Sequence, residues 1–197
     1  MARRTQSGKS KGGRLRIVAG NWRSRLLDIA DVEGLRPTSE RIRESLFNWL
    51  TPQIHGARCL DLYAGTGALG LEALSRGAAS AVFVERSPVA EKQLTENARL
   101  LDASGATVLR MEALDYLAGK PGERFDIVFL DPPFAADLLE ETCRLMAEQQ
   151  LLVDGALVYL EQDRGKAEPK LPDAWRVLKD KTAGNVRYML AQAGEDD

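Results

Sequence analysis

From residue 57 onward, short apolar runs alternate with amphipathic stretches, and this alternation limits the possible folds more than any other feature of the chain. ARCLDLY (57–63), AVFVE (81–85), ATVLRM (106–111), FDIVFLD (125–131) and GALVYLEQ (155–162) read as strands. Between them, ALGLEALSRG, PVAEKQLTENARLL, ALDYLAG and ADLLEETCRLMAEQQ read as helices. Apolar strands separated by amphipathic helices imply a parallel sheet covered on both faces. The end breaks the rhythm: WRVLKDKT and NVRYMLAQA flank Ala183-Gly184, predicting an antiparallel hairpin that completes a mostly parallel seven-stranded sheet. The expected class is α/β, Rossmann-like, over residues 53–197.

Residues 14–52 follow a different pattern. RLRIVAG and RSRLLDI lie around a Gly20-Asn21 turn signal and predict a small β-hairpin. Arg36-Pro37-Thr38-Ser39 then introduces a helix, with Thr38 or Ser39 as its N-cap. Ile42, Leu46, Trp49 and Leu50 form its apolar stripe, leaving Arg41, Arg43 and Glu44 off it. Residues 1–13 read as a basic, flexible tail.

The formal net charge of −2 hides an asymmetry. The first 27 residues hold eight Lys and Arg and no acid, leaving 19 basic against 29 acidic residues in the remainder. A basic arm on an acidic body suggests a polyanion met by one end of the molecule. No apolar run approaches the roughly 20 residues of a membrane span, and no apolar segment of a secretory signal follows the basic start. Cys59 and Cys143 stand alone and far apart, which argues against a disulfide framework or a zinc site; no metal is expected, and a cytoplasmic location is.

Asp61-Leu62-Tyr63-Ala64-Gly65-Thr66-Gly67-Ala68-Leu69-Gly70 sits where the first strand of the sheet turns into a helix. Such glycines let the backbone approach a ligand and leave helix N-terminal amides facing it. The pattern alone also fits nicotinamide enzymes. Glu85, 20 residues beyond Gly65, suits a ribose diol in either case. Asp61 shifts the balance, because a carboxylate there repels a pyrophosphate but attracts a cationic, amino-bearing ligand. S-adenosylmethionine has a sulfonium, an amino group and no phosphate. Glu112 and Ala113, after the third strand, are placed to meet an adenine ring, with Asp115 as the competing acid.

Asp131-Pro132-Pro133-Phe134 follows the fourth strand. Consecutive prolines hold a stiff turn and leave carbonyls unengaged. Asp131 and the Pro132 carbonyl can each accept one N–H of a planar exocyclic amine, and Phe134 offers a face for stacking a base. The only histidine, His55, precedes the first strand of the sheet and reads as a solvated loop residue. Ligands bind at the carboxyl edge of open α/β sheets, where both motifs would meet.

These residues resemble class I methyltransferases. RIVAGNWRSRLL, RPTSERIRESLFNWL and DLYAGTGALGLEALSRGA more closely resemble the RsmD family of bacterial 16S ribosomal RNA guanine-N2 methyltransferases, over about residues 14–190. The resemblance implies methyl transfer from S-adenosylmethionine to N2 of a specific guanine during small-subunit assembly. It implies a cofactor site at Asp61, Tyr63, Ala64, Gly65, Thr66, Gly67, Glu85, Glu112 and Ala113. Asp131, Pro132, Pro133 and Phe134 would receive the guanine. Arg14, Arg16, Trp22, Arg23, Arg25, Arg36, Arg41 and Arg43 are the candidates for RNA contact, and a monomer is the default. The motifs identify an amine and not its base, so a DNA adenine-N6 methyltransferase stays open as an alternative. So does a non-catalytic RNA-binding assembly factor, although an intact Asp131 and glycine loop argue against it. A nicotinamide oxidoreductase would have to explain Asp61 and the double proline.

Overall fold

The computed structural model describes residues 13–133 and 138–194. Its central element is a seven-stranded sheet built from β3 (Arg58–Asp61), β4 (Ser80–Glu85), β5 (Ala106–Arg110), β6 (Phe125–Leu130), β7 (Leu152–Asp163), β8 (Arg176–Ala183) and β9 (Val186–Gln192). The strand order is β5-β4-β3-β6-β7-β9-β8. The first five are parallel, and β9 then pairs antiparallel with both β7 and β8. The expected sheet and its closing hairpin are therefore present. Chain progression reverses at the β3–β6 boundary, which opens a crevice at the carboxyl ends of these two strands.

The sheet is covered on both faces. On one side α4 (Ala113–Ala118) and α5 (Leu139–Glu148) pack Leu117, Cys143 and Met146 against Val128, Leu130 and Leu160. On the other side lie α1 (Glu40–Leu50), α2 (Ala68–Ser75) and α3 (Pro88–Leu100), with Leu46, Phe47, Leu71 and Leu94 against Cys59, Phe83 and Phe129. A short antiparallel hairpin, β1 (Arg14–Arg16) with β2 (Leu26–Asp28), joins this second core through Leu15, Ile17 and Leu27. Trp49 stacks on Tyr188 with ring centroids 5.5 Å apart, and Trp175 packs at the edge of the first core.

Local chemistry sets the helix boundaries. Ser39 caps α1 by accepting the Ile42 N–H, and Ser87 caps α3 by accepting that of Ala90, with Pro88 in the first turn. In α2 all eight residues are buried, including Glu72. The turn between β1 and β2 docks on the carboxyl end of α2, where Asn21 N–H donates to the Ser75 carbonyl at 2.7 Å and Ser75 Oγ to the Ala19 carbonyl at 2.6 Å. Gly20 must be glycine at this contact: its φ is +82°, and a Cβ would lie 1.9 Å from the Ser75 carbonyl oxygen.

Two residues depart from the apolar stripe expected in α1. Arg43 is not on the outer face: it is 1% exposed, and its guanidinium meets Glu72 at 3.1 Å. Arg43 is one turn from Phe47, which is fully buried and also absent from the expected stripe. The buried carboxylate on α2 makes this inward position tenable for a cation. Arg43 is therefore removed from the candidates for RNA contact.

Candidate active site

A cleft of about 980 Å³ opens at the carboxyl ends of β3, β4 and β6. It brings together all but one of the predicted cofactor and catalytic residues within the described chain. Asp61, Tyr63, Ala64, Gly65, Thr66, Glu85, Glu112, Ala113, Asp131, Pro132 and Pro133 line it, as does Arg36. Glu112, rather than Asp115, is the acid facing the cleft after β5. Phe134 lies outside the described residues, as do residues 1–12 of the basic tail.

Gly67 is the exception among the loop residues, because it does not line the cleft. It is the left-handed residue that starts α2, with φ +74°, and a Cβ there would come within 2.2 Å of Leu94 Cδ1. It forms the turn and lets α3 approach.

The carboxylates are held by the loops that they serve. Glu85 accepts the N–H of Gly65 at 2.8 Å on one oxygen and that of Ser87 at 2.7 Å on the other. This fixes its side chain beside the glycine loop, and each oxygen keeps accepting capacity for a ligand hydroxyl. Asp61 is 2% exposed and accepts the Gly70 N–H at 3.0 Å. Burial, opposed by that amide and reinforced by the charge of Glu85, pushes its carboxyl up to about 7. A cation entering the cleft would relieve this penalty. Glu112 is exposed at the start of α4, 3.8 Å from Arg86.

Asp131 stands just past β6, where Asp61 pairs in register with Phe129, so the two acids share one edge of the sheet. Its Oδ2 accepts from Thr38 Oγ1 at 3.4 Å. Burial and the neighbouring charges of Glu161 and Asp61 push the Asp131 carboxyl well above the usual range. Pro132 is buried and Pro133 exposed.

Sequence reasoning missed three contributors. Thr38, expected only as a possible helix cap, touches Asp131 instead. Residues 32–39 as a group form one wall of the cleft. Glu161 lies on the cleft floor at 4% exposure, and the Tyr159 hydroxyl donates to its Oε2 at 2.8 Å. Glu161 was legible only as an acid near the carboxyl end of a strand, and it is the pairing of that strand with β6 that sets it beside Asp131.

The arginines of the hairpin lie on the surface. Arg14 and Arg16 make exposed ion pairs with Asp28 and Glu40, both at 3.6 Å, and Arg25 donates to the Leu100 carbonyl at 3.1 Å. Arg23 and Arg41 are exposed, and Trp22 is half-buried against the core. Among the described residues, no group of three or more His, Cys, Asp or Glu is placed to hold a metal ion. No helix among them is long and apolar enough to cross a membrane.

Comparison with known proteins places this geometry among relatives. The family described as "Conserved hypothetical protein 95" matches residues 15–192. "Ribosomal RNA small subunit methyltransferase D" of Escherichia coli (strain K12) is 47% identical over 191 residues, spanning 95% of this chain and 96% of that protein. Among solved structures, "Putative methyltransferase yhhF from Escherichia coli" superposes with a TM-score of 0.85 at 43% identity, covering 92% of this chain and 99% of that one. An RNA methyltransferase from Salinibacter ruber, solved in complex with S-adenosyl-L-homocysteine, shares the fold at a TM-score of 0.64 and 16% identity, over 82% of this chain and 96% of its own.

Proposed function

The chain belongs to the RsmD family of ribosomal RNA small subunit methyltransferases, and from that premise we propose that it methylates N2 of a guanine in 16S ribosomal RNA during small-subunit assembly, with S-adenosylmethionine as donor. The observation that carries this reading is the meeting of two motifs in one cleft: the acid-flanked glycine loop after β3 and the Asp131-Pro132-Pro133 turn after β6.

The residues present fit the cofactor. Glu85 is held where a ribose diol can donate to it, and Asp61 supplies the negative charge that a sulfonium or amino group needs. Glu112 and Ala113 border the adenine position, and Tyr63, Ala64 and Thr66 complete the loop. When bound, S-adenosylmethionine supplies an electrophilic methyl group and departs as a neutral thioether.

The chain's own residues do the rest. The amino lone pair of guanine is conjugated into the ring, so nucleophilicity comes mainly from position. Asp131 accepts one N2–H and the Pro132 carbonyl the other, which turns the nitrogen toward the methyl group. Such near-attack placement lowers a barrier by roughly 7–11 kcal/mol in favourable cases. Asp131 also stabilises the positive charge that develops on nitrogen and takes the displaced proton. Phe134 follows in the loop and provides the stacking face, worth roughly 1–3 kcal/mol per base.

The decisive experiment is labelled methyl transfer to free 16S RNA, assembled small subunits and DNA, followed by nucleoside identification. N2-methylguanosine in the RNA is the expected product, with higher yield on the particle. N6-methyladenine in DNA, or no transfer to any of the three, would overturn the assignment. Binding to S-adenosylmethionine but not to NAD, read by calorimetry, completes the same test.

The exposed arginines, Arg14, Arg16, Arg23, Arg25, Arg36 and Arg41, with Trp22, form the proposed RNA-facing surface. Neutralising Arg23 and Arg25 together should weaken RNA binding and flatten its salt dependence by about 0.7 in log–log slope for each single-strand phosphate no longer neutralised. An unchanged slope would leave the hairpin with a packing role alone.

A further inference from the structure

The Asp131-Pro132 turn recognises an amine without identifying its base, because the amino nitrogens of guanine and adenine offer the same two N–H donors. The adjacent ring position differs. Guanine carries a donor, N1–H, beside its amine, whereas adenine carries a lone pair on N1. A residue that separates them must be an acceptor, must stand beside Asp131, and must be fixed.

Glu161 meets all three conditions. It lies on β7, the strand next to β6, and Leu160 pairs with Leu130, so Glu161 and Asp131 are the next residues along two neighbouring strands. Both line the same cleft. At 4% exposure, with Oε2 taking the Tyr159 hydroxyl at 2.8 Å, the Glu161 carboxylate has little freedom to turn away. The other group acting on it there is the Thr38 hydroxyl, which also contacts Asp131 and, like Tyr159, is uncharged. We propose that Glu161 is the specificity residue of this site: its carboxylate accepts guanine N1–H while Asp131 and the Pro132 carbonyl hold the two N2 hydrogens. This set of three acceptors matches the donor edge of guanine and opposes the N1 lone pair of adenine.

The inference rests on the guanine-N2 reading above and gives it a structural cause. It also accounts for two carboxylates side by side where β6 and β7 meet the cleft. Burial and the charge of Glu161 together push Asp131 upward, a penalty that a base bringing three N–H donors relieves. A purine that presents a lone pair between them does the opposite.

The test compares two RNA substrates, one with guanine and one with 2-aminopurine at the position that the wild-type protein methylates. 2-Aminopurine keeps the N2 amine but has a lone pair at N1. Wild-type kcat/KM should favour guanine by about 10²-fold or more, since a site built around a substrate N–H rejects the analogue that lacks it. In Glu161→Gln the amide can donate to that lone pair, so the ratio should fall at least about tenfold, with S-adenosylmethionine affinity unchanged. Equal use of both RNAs by the wild-type protein would overturn the proposal without recourse to any variant. An unaltered ratio in a folded Glu161→Gln protein would overturn it too, while leaving the methyltransferase reading intact. Failure of the wild-type protein to methylate guanine in either setting would remove the parent reading and this inference with it.

Discussion

Replacing Asp131 by Ala should lower methyl transfer by about 10²–10³-fold or more and leave S-adenosylmethionine binding within a few-fold. The magnitude follows from what the substitution removes: a preorganised acceptor aimed at developing charge, the kind of group whose removal costs about that much in other enzymes. Cofactor binding is spared because the glycine loop, Glu85 and Asp61 are anchored by their own hydrogen bonds. The fold should also be spared. Asp131 is a carboxylate pushed upward by burial and by Glu161, so its charged form is disfavoured in the folded state and its removal relieves repulsion. Asp131→Asn is the sharper companion, because it keeps an acceptor oxygen and removes the charge. The sign of the pH effect follows from the raised carboxyl. Its protonated, inactive form persists to higher pH than for an ordinary aspartate, so wild-type kcat/KM should climb as pH rises through that raised value. The Asn variant should lose the part of this acid limb that Asp131 contributes and keep that of Glu161, whose carboxyl burial also pushes upward. Single-turnover rates at saturating cofactor provide the measurement, and undiminished turnover in the Ala variant would remove Asp131 from the chemistry.

The fold and much of the cleft were legible because they depend on local chemistry. Apolar runs of strand length between amphipathic helices specify a covered parallel sheet, and the acid-glycine loop and double proline lie at strand ends that the sheet gathers along one edge. Periodicity could not locate the long-range polar contacts. Arg43 was expected outside because a charged side chain one position from Ile42 normally faces water. Its partner, Glu72, lies 29 residues away inside a helix whose other residues give no sign of a charge pair. Thr38 was expected only as a cap, and its contact with Asp131 spans 93 residues. Glu161 looked like one carboxylate among 29 acidic residues, since only the β6–β7 register shows that it stands beside Asp131. Gly67 was legible as part of the glycine loop, and the structure adds a packing reason for it: a left-handed φ and the close approach of Leu94.

Those long-range polar links form one chain of support, and its strongest member should yield the second large effect. Glu72→Ala should destabilise the protein by about 3–5 kcal/mol, because removing one side of a buried ion pair leaves the other charge uncompensated. Glu72 is fully buried and its two oxygens serve four partners. One takes the Ala19 N–H at 2.9 Å and Arg76 Nε at 2.8 Å; the other takes the Val18 N–H at 2.8 Å and an Arg43 guanidinium N–H at 3.1 Å. Arg43 in turn donates from Nε to the Thr38 carbonyl at 3.1 Å, and Thr38 donates to Asp131. One carboxylate thus joins the arm before α1, the helix core and the wall of the cleft. Two features separate this account from a simple packing defect. The double variant Arg43→Met with Glu72→Leu removes the two fully buried charges together and should be less destabilised than Glu72→Ala alone, since Arg76, largely buried, loses its partner in both proteins but only Glu72→Ala also strands Arg43. That double variant should still lose activity, because Thr38 is left without the arginine that anchors its carbonyl. Denaturant midpoints for the two proteins, measured beside methyl-transfer rates, give both readings. A double variant no more stable than Glu72→Ala would show that the N–H groups of Val18 and Ala19 and the Arg76 guanidinium, rather than the charge on Arg43, are what Glu72 principally stabilises.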